Sequence, residues 1–334
     1  MSYHIYCVEN LFNGSDGADP AVVRHAYMAG RPSIVRRTHM HGAWTVRSTE
    51  IEVEGEPGEL LLLYEDYTDV CPGLARYSVE FRRGDERLYT YSTNTREYPP
   101  GSPQTAEGVA FTLFHRLSRE LPEHPDRFLP FPPEPPGRPW PKEEAGALII
   151  QGSPRVHGNT ATVAAWAADA CSKAGLATRI LHPSELRIAP CTACFRCFNS
   201  GRCVIDDDME EAGRAVWGAL WVIVCTPVFA GSVPSALKAL IDRSLALRAR
   251  LLLSGTGRSA RGIICPVTDG GATDRYSCVE REVRTFFERL QVGYVGTLPV
   301  SGGGGGGDLR ADPDLGREVE EGIAALFGVL PDKP

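Results

Sequence analysis

The sequence lacks any uncharged apolar run of the roughly 18 to 20 residues that a membrane-spanning helix needs. It also lacks an excess of basic residues: the net charge is -7, and no Lys and Arg cluster of the kind that binds nucleic-acid phosphates occurs. The first residues, MSYHIYCVENLF, do not show the charged and apolar regions of a signal peptide. We therefore expect a cytoplasmic protein with no membrane or nucleic-acid partner.

Two domains are favoured by the chain length of 334 residues, which exceeds what one hydrophobic core usually spans. Closely spaced prolines occur in LPEHPDRFLPFPPEPPGRPW, between Leu121 and Trp140, and they prevent this segment from forming a helix or pairing as a β-strand. We predict domains at residues 1–121 and 143–330, joined by a proline-rich linker at residues 122–142.

The first domain is predicted to be a small α+β unit whose role the sequence does not show. Strand-length segments rich in apolar and β-branched residues suggest an antiparallel sheet, and they read VRSTEIEVEG, ELLLLYED, RYSVEFRR and ERLYTYS. A helix is predicted from about Thr105 to Glu120, and a shorter one near Ala21 to Ala29.

The second domain alternates strands and helices. Five apolar runs separated by helical stretches predict an α/β fold with a doubly wound, five-stranded parallel sheet, and they read GALIIQG, TRILH, LWVIVC, GIICPV and YVGTLPV. Such folds bind ligands beyond the carboxyl ends of their strands. The loops that follow the strands are therefore the candidate site.

The loop after the first of these strands, GSPRVHGNTATV at residues 152–163, leads directly into an apolar helix. Such a junction presents unpaired backbone N–H groups and the positive end of the helix dipole to an anion. The loop lacks the lysine of an ATP-type phosphate loop and the glycine spacing of a dinucleotide fingerprint, which favours a terminal monophosphate such as that of FMN. An ordinary capped turn would also account for it. Side-chain donors come from Ser153, Arg155, Asn159 and Thr160.

A second loop, TPVFAGSVPSALKALIDR at residues 226–243, follows the third strand and is shaped by Pro227 and Gly231. Phe229 is suited to lie against a flat ring system, and backbone N–H groups here can hydrogen-bond the N5 and carbonyl edge of a flavin. A third loop, VTDGGAT at residues 267–273, follows the fourth strand and can close the other edge of the ring.

Four cysteines form a C-x2-C-x2-C-x5-C pattern within IAPCTACFRCFNSGRCVIDDDME, at Cys191, Cys194, Cys197 and Cys203. Thiolates this close in sequence can converge on one metal centre. A [4Fe-4S] cluster is the first interpretation, structural zinc is the second, and a metal-free redox or structural role is the third. The acids at residues 206–208 are explained as an N-cap and favourable negative charge for the following helix.

The other cysteines and the histidines give weaker signals. Three cysteines in apolar segments are predicted to be core residues, namely Cys171, Cys225 and Cys265. Three are unassigned: Cys7, Cys71 and Cys278. The histidines lack a paired carboxylate pattern, and the one pair that merits a check is in THMH at residues 38–41. No general acid or base can be named.

Together, GSPRVHGNT, the cysteine segment, CVIDDDME and TPVFAGSVPSALKALIDR resemble the NAD(P)H-dependent FMN reductase and iron-sulfur flavoprotein branch of the flavodoxin superfamily, over about residues 146–310. The resemblance implies a flavodoxin-like fold, bound FMN and a homo-oligomer, either a dimer or a tetramer. Two features depart from the family: Phe229 and Ala230 stand where Tyr or Trp is common, and the glycine run at residues 302–307 replaces a more mixed loop. The cofactor-binding residues it implies are Ser153, Arg155, Gly158, Asn159, Thr160, Thr226, Pro227, Val228, Phe229, Gly231, Thr268, Gly270 and Gly271.

Three functions stay open at this point, and in each the flavin carries the chemistry. The first is an FMN-dependent oxidoreductase with a [4Fe-4S] cluster, which transfers electrons between a reduced donor and a small-molecule acceptor. The second is an NAD(P)H-dependent flavin or quinone reductase without a cluster. The third is a non-catalytic carrier that moves electrons between protein partners.

Overall fold

The computed structural model describes residues 43–129, Trp140, and residues 145–268, 276–301 and 307–328. The chain divides into two units, Met1–Arg37 and Thr38–Pro334, and every described residue belongs to the second. Several predictions fall outside the described residues: the short helix near Ala21, Cys7, the THMH pair, most of the proline-rich linker, Gly270 and Gly271.

An antiparallel sheet of four strands comes first, in the order β1-β2-β3-β4, as the sequence predicts. Its strands are β1 Trp44–Val53, β2 Glu56–Asp66, β3 Ala75–Arg83 and β4 Glu86–Asn94. Helix α1, Ala106–Glu120, packs Ala110, Phe114 and Leu117 against one face of this sheet. The helix starts where the sequence predicts because the Thr105 hydroxyl accepts a hydrogen bond from Gly108 N at 3.0 Å.

A parallel sheet follows, with strands β5 Ala145–Gln151, β6 Thr178–Leu181, β7 Ala219–Pro227, β8 Ala260–Thr268, β9 Val292–Thr297 and β10 Val300–Ser301. The order is β6-β5-β7-β8, and β9 and β10 both pair with β8. The fifth predicted strand is thus two short pieces, interrupted at Pro299, which has no backbone N–H for the ladder. This order is that of flavodoxin-like folds, so the predicted fold class is confirmed.

Helices cover both faces of the parallel sheet: α2 Asn159–Lys173, α4 Met209–Gly218, α5 Ser235–Arg243, α6 Leu245–Ser254, α7 Ser277–Arg289 and α8 Pro313–Phe327. The short helix α3, Cys197–Ser200, lies in the cysteine segment. Alternate strand residues point to opposite faces. Ile149 and Ile223 therefore lie in the core with α2 and α8, whereas Ile150 and Val224 lie in the core with α4, α5 and α7. Short 3₁₀ turns occur at Thr95–Glu97, Pro125–Arg127, Pro183–Glu185 and Leu309–Ala311.

A fourth apolar cluster links the antiparallel sheet to the cysteine segment. It joins Tyr67 and Leu74, from the loop between β2 and β3, to Phe198 of α3 and Ala249 of α6. The rings of Tyr67 and Phe198 meet edge to face with their centroids 5.2 Å apart. The first sheet is therefore packed directly on the segment that carries the four cysteines.

No helix within the described ranges combines the length and the apolar character that crossing a membrane requires.

Candidate functional site

Three loops start side by side at the carboxyl edge of the parallel sheet because β5, β7 and β8 are neighbours. Gln151 at the end of β5 pairs with Cys225, and Cys225 pairs with Cys265. Gly152 N then donates a hydrogen bond to Cys225 O at 2.8 Å, which extends the pairing beyond the strand. The loops predicted to bind a phosphate and a flat ring are thus brought side by side, although they are far apart in sequence.

The first loop, residues 152–158, is preorganised around Ser153. The buried Ser153 hydroxyl accepts a hydrogen bond from Arg155 N at 3.1 Å, and the amide of Gln151 donates to Arg155 O at 3.0 Å. Gln151 Oε1 is buried and has no partner in the described part of the chain. The loop geometry is therefore fixed by its own side chains rather than by a ligand.

Helix α2 begins directly after this loop, and its N-cap is Gly158, which supplies no capping side chain. Within the described residues, the backbone N–H groups of Asn159 and Thr160 have no acceptor. Unpaired N–H groups at a helix N-terminus, together with the helix dipole, favour an anion at this position. The Arg155 side chain is exposed beside it.

Gly152 is needed because the backbone of this loop passes very close to β7 and α5. A Cβ atom built at Gly152 would lie 2.7 Å from Leu237 Cδ2 and 2.9 Å from Thr226 Oγ1. Thr226, one of the predicted cofactor-binding residues, is fully buried at this contact. A side chain at position 152 would push the loop away from the sheet.

Asn159 has a structural partner that sequence reasoning did not anticipate. Its amide nitrogen donates to Gly307 O at 2.9 Å, and its amide oxygen accepts from Leu309 N at 3.2 Å. These bonds tie the start of α2 to the segment that follows β10. The Asn159 side chain is therefore engaged by the chain itself, and its predicted role as a phosphate donor stays untested.

The second loop projects an aromatic ring on a tight turn. Ala230 and Gly231 both have positive φ, 49° and 78°, while Phe229 and Ser232 exchange two backbone hydrogen bonds of 2.8 and 2.9 Å. These features define a two-residue turn of the type I′ class. Phe229 is 43% exposed. The Ser232 hydroxyl donates to Glu282 Oε2 at 2.7 Å, which anchors the turn to α7.

The third loop is described only at its start, where Thr268 is half-buried at the end of β8. The register β7 to β8 places Pro227 opposite Val267, so Thr268 lies beside the start of the Phe229 loop. Ser153, Val228 and Thr268 therefore stand at one edge of the sheet.

The cysteine segment follows β6 and leaves the parallel sheet at the same edge. The four sulfur-bearing residues face one cavity of about 20 Å³, which has room for about one water molecule. Burial, followed by the neighbouring Cys203, Cys194 and Cys191, raises the pKa of the Cys197 thiol to about 12. No group of three or more His, Cys, Asp or Glu side chains in the described ranges has the arrangement of an assembled metal site.

The backbone of this segment is strained on both sides of Cys194. Ala193 and Phe195 adopt the left-handed conformation, with φ of 52° and 55°. This conformation costs a residue with a Cβ atom roughly 1–2 kcal/mol. Such strain persists where the surroundings determine the geometry, and it concentrates at functional sites.

Arg243, at the end of α5, forms hydrogen bonds with residues on both sides of the four cysteines. Its guanidinium donates to both oxygens of Asp207, at 2.7 and 2.8 Å, and to the carbonyls of Ala189 at 2.8 Å and Ile205 at 3.3 Å. The Arg243 side chain is only 1% exposed. Sequence reasoning missed this residue because a single arginine in an apolar helix gives no signal of its burial.

Asp207 also refines the interpretation of the acids at residues 206–208. Its carboxylate accepts from Met209 N at 3.1 Å, as an N-terminal acid should, and from Ala189 N at 2.9 Å. Asp208 stands at the N-cap of α4 but forms no capping hydrogen bond there. Instead it accepts from Arg187 N at 2.8 Å. The acids therefore close the cysteine segment as well as starting the helix.

Known proteins match the second half of the chain. The sequence profile of the NADPH-dependent FMN reductase family matches residues 146–303. An iron-sulfur flavoprotein from Methanosarcina thermophila is 40% identical over 99 residues, which are 30% of this chain and 52% of that protein. Others from Archaeoglobus fulgidus and Methanocaldococcus jannaschii are 30% and 32% identical over 83% and 91% of their lengths, and over 55% and 54% of this chain.

The chain belongs to the iron-sulfur flavoprotein family. It spans about half the length of the Methanosarcina relative. Among solved structures, an NADH:FMN oxidoreductase is similar with a TM-score of 0.40 at 17% identity, and the match covers 56% of this chain and 91% of that one. An NAD(P)H:quinone oxidoreductase from Methanothermobacter marburgensis has a TM-score of 0.43 at 14% identity, covering 57% of this chain and all of that one.

The family profile covers the parallel sheet and the cysteine segment but not the antiparallel sheet, which precedes residue 146. Outside the cysteine segment, Cys171, Cys225 and Cys265 are fully buried in the sheet core, as the sequence predicts. Cys278 is exposed, and Cys71 is half-buried beside the fourth apolar cluster.

Proposed function

We propose that this protein is an FMN-dependent oxidoreductase that transfers electrons between a reduced donor and a small-molecule acceptor. The observation that carries the proposal is that three βα loops start side by side at one edge of the sheet, while the first two backbone N–H groups of α2 have no acceptor among the described residues. Membership in the iron-sulfur flavoprotein family supports it.

FMN fits this edge for two reasons. Its phosphate suits the N-terminus of α2, which follows a loop that Ser153 shapes and that Gly152 keeps close to the sheet. Its ring suits the second loop, where Phe229 is exposed on a turn anchored to α7. When bound, FMN supplies hydride or single-electron exchange, while the protein orients it and excludes competing reactions.

We propose further that Cys191, Cys194, Cys197 and Cys203 hold a [4Fe-4S] cluster. The chemistry of the donor set supports a cluster, because one short segment brings four cysteines to one cavity and soft thiolates are the usual ligands of such clusters. A cluster held there supplies single-electron exchange. Arg243 lines the same cavity.

The flavin proposal is tested by comparing FMN with riboflavin, which lacks the phosphate. Two or more charge-assisted hydrogen bonds of about 1.5–3 kcal/mol each predict that FMN binds at least about 100-fold more tightly. Replacing Ser153 by Ala should weaken FMN binding and leave riboflavin binding unchanged. Equal affinities of the wild type for the two flavins would refute the phosphate site.

The cluster proposal is tested by anaerobic purification, an absorption spectrum, and quantification of iron, zinc and acid-labile sulfide on one sample. About four irons and four sulfides per chain are expected. Cys194→Ser should abolish them, whereas Cys278→Ser, at an exposed cysteine outside the segment, should not. Zinc without sulfide would indicate a structural zinc site, and flavin without metal would indicate an NAD(P)H-dependent flavin or quinone reductase.

The donor, the acceptor and the assembly are also proposals. Steady oxidation of NADPH or NADH with a free quinone would support a reductase acting on small molecules. Reversible flavin reduction without such turnover would support a carrier that serves protein partners. The homo-oligomer implied by the family resemblance is checked by light scattering on the purified protein.

A further inference from the structure

The cysteine segment is held from outside by the antiparallel sheet. Ala193 and Phe195 are strained on either side of Cys194, and residues in such conformations need support from their surroundings. Three polar side chains of the first sheet and of the turn after it reach this segment: Arg76, Asn94 and Glu97.

Asn94, the last residue of β4, fixes one strained residue directly. Its side-chain amide donates to Phe195 O at 3.3 Å and to Asn199 Oδ1 at 2.8 Å. Asn94 is fully buried. A buried amide with defined partners specifies the position of those partners, because leaving it unpaired costs free energy.

Glu97 and Arg76 bind the other side of the same stretch. Glu97 accepts hydrogen bonds from Asn199 Nδ2 at 2.7 Å and from Arg196 Nε at 3.2 Å. Arg76, which pairs with the buried Glu65, donates to Asn199 O at 3.2 Å. The side chain of Asn199 is thus held at both its oxygen and its nitrogen.

Glu97 is itself held in place by the backbone that follows β4. Its carboxylate accepts from Asn94 N at 3.1 Å, in a capping box at the turn Thr95–Glu97. Burial alone would raise the pKa of Glu97, but the hydrogen bonds from Asn199, Asn94, Arg196 and Thr93 together lower it. The carboxylate therefore stays ionised and available to Arg196 and Asn199.

We propose that the antiparallel sheet serves to position the cysteine segment, with Asn94 and Glu97 as positioning residues that hold residues 195–199 so that Cys194 and Cys197 face the other two cysteines. This proposal rests on the proposed cluster for its functional consequence. It gives a task to the part of the chain that precedes the family match. The contacts themselves do not depend on any bound group.

The test compares Asn94→Ala and Glu97→Gln with the wild type in the full-length protein. Hydrogen exchange is measured over residues 191–203, and iron, acid-labile sulfide and FMN are measured per chain. Glu86→Gln is the matched control, because Glu86 is exposed at the opposite end of β4.

In Asn94→Ala, exchange over residues 191–203 should become faster by about tenfold, because two hydrogen bonds of ordinary strength are lost. Glu97→Gln should show about a threefold effect, since it keeps the shape of the side chain and one acceptor oxygen for Asn199 but loses the charge and the acceptor for Arg196. Iron and sulfide should fall severalfold in both, while FMN content stays constant. The control should match the wild type throughout.

Wild-type exchange and wild-type iron in both variants would overturn the positioning proposal. Faster exchange in the variants of a protein that carries no iron even as wild type would support positioning and refute the cluster. If Asn94→Ala also loses its FMN and its helical signal, the protein has unfolded, and the milder Glu97→Gln then decides.

Discussion

Replacing Arg243 by Met tests whether one buried ion pair closes the cysteine segment. Met keeps an unbranched apolar side chain and removes the charge together with the guanidinium's bonds to Asp207, Ala189 and Ile205. The Asp207 side chain, 10% exposed, would keep only its bonds from the backbone N–H groups of Ala189 and Met209. A nearly buried carboxylate would then lack a counter-charge.

The expected loss of unfolding free energy is large because one partner of a buried ion pair is removed. Such changes typically cost about 3–5 kcal/mol, and the two remaining backbone donors place Arg243→Met near the lower limit, about 3 kcal/mol. Arg179→Met is the matched control, since Arg179 pairs with Glu211 at 2.7 Å while the two side chains are 47% and 62% exposed. Exposed pairs contribute about 0.2–1 kcal/mol.

The assay is chemical denaturation of the full-length protein, with the free energy of unfolding compared between variants at pH 7. Adding Asp207→Asn to Arg243→Met should recover part of the loss, because no uncompensated charge is left buried. If Arg243→Met lowered the free energy of unfolding by less than about 1 kcal/mol, as is expected of the Arg179→Met control, the reasoning would be refuted.

The pH dependence of the free energy of unfolding follows from the ionisation of Asp207. Burial alone would raise its pKa, but the hydrogen bonds from Arg243, Ala189 N and Met209 N together bring the pKa below its usual value. A carboxyl whose folded pKa is lowered stabilises the protein above its unfolded pKa, about 3.9, and loses that contribution as the pH falls through the folded pKa. The stability difference between the wild type and Arg243→Met should therefore shrink below about pH 4.

Three further substitutions test the edge of the parallel sheet where FMN is proposed to bind. Gly152→Ala should lower the free energy of unfolding by about 1–3 kcal/mol through overpacking and should weaken FMN binding. Gly257→Ala is the control, because a Cβ atom there meets nothing within 4 Å, and it should change neither property. Equal denaturation midpoints for the two variants would contradict this prediction. Gly231→Ala, at φ 78°, should cost about 1 kcal/mol in the same assay, and no loss would mean that the turn relaxes. Phe229→Ala should weaken flavin binding by about 0.5–1.5 kcal/mol if the ring stacks there, and unchanged affinity in a flavin fluorescence titration would exclude that contact.

The sequence by itself determined the main secondary-structure elements and the fold class. Apolar runs over strand lengths fixed β5 to β8 and the four antiparallel strands, because alternation and β-branched residues report burial locally. Thr105 and the glycines and prolines of the two βα loops marked where helices and turns begin. The cysteine spacing identified the segment, and its apolar surroundings identified Cys171, Cys225 and Cys265 as core residues.

The polar contacts that shape the site were decided only by the tertiary structure. Asn159 bonds Gly307 and Leu309, Arg243 bonds Asp207, and Asn94 bonds Asn199. Each of these residue types, read alone, is equally compatible with a solvated surface or with a cap. Their partners lie in other parts of the chain, so no local pattern names them. Packing two sheets and their helices together selects which side chains meet, and burial then makes those hydrogen bonds obligatory.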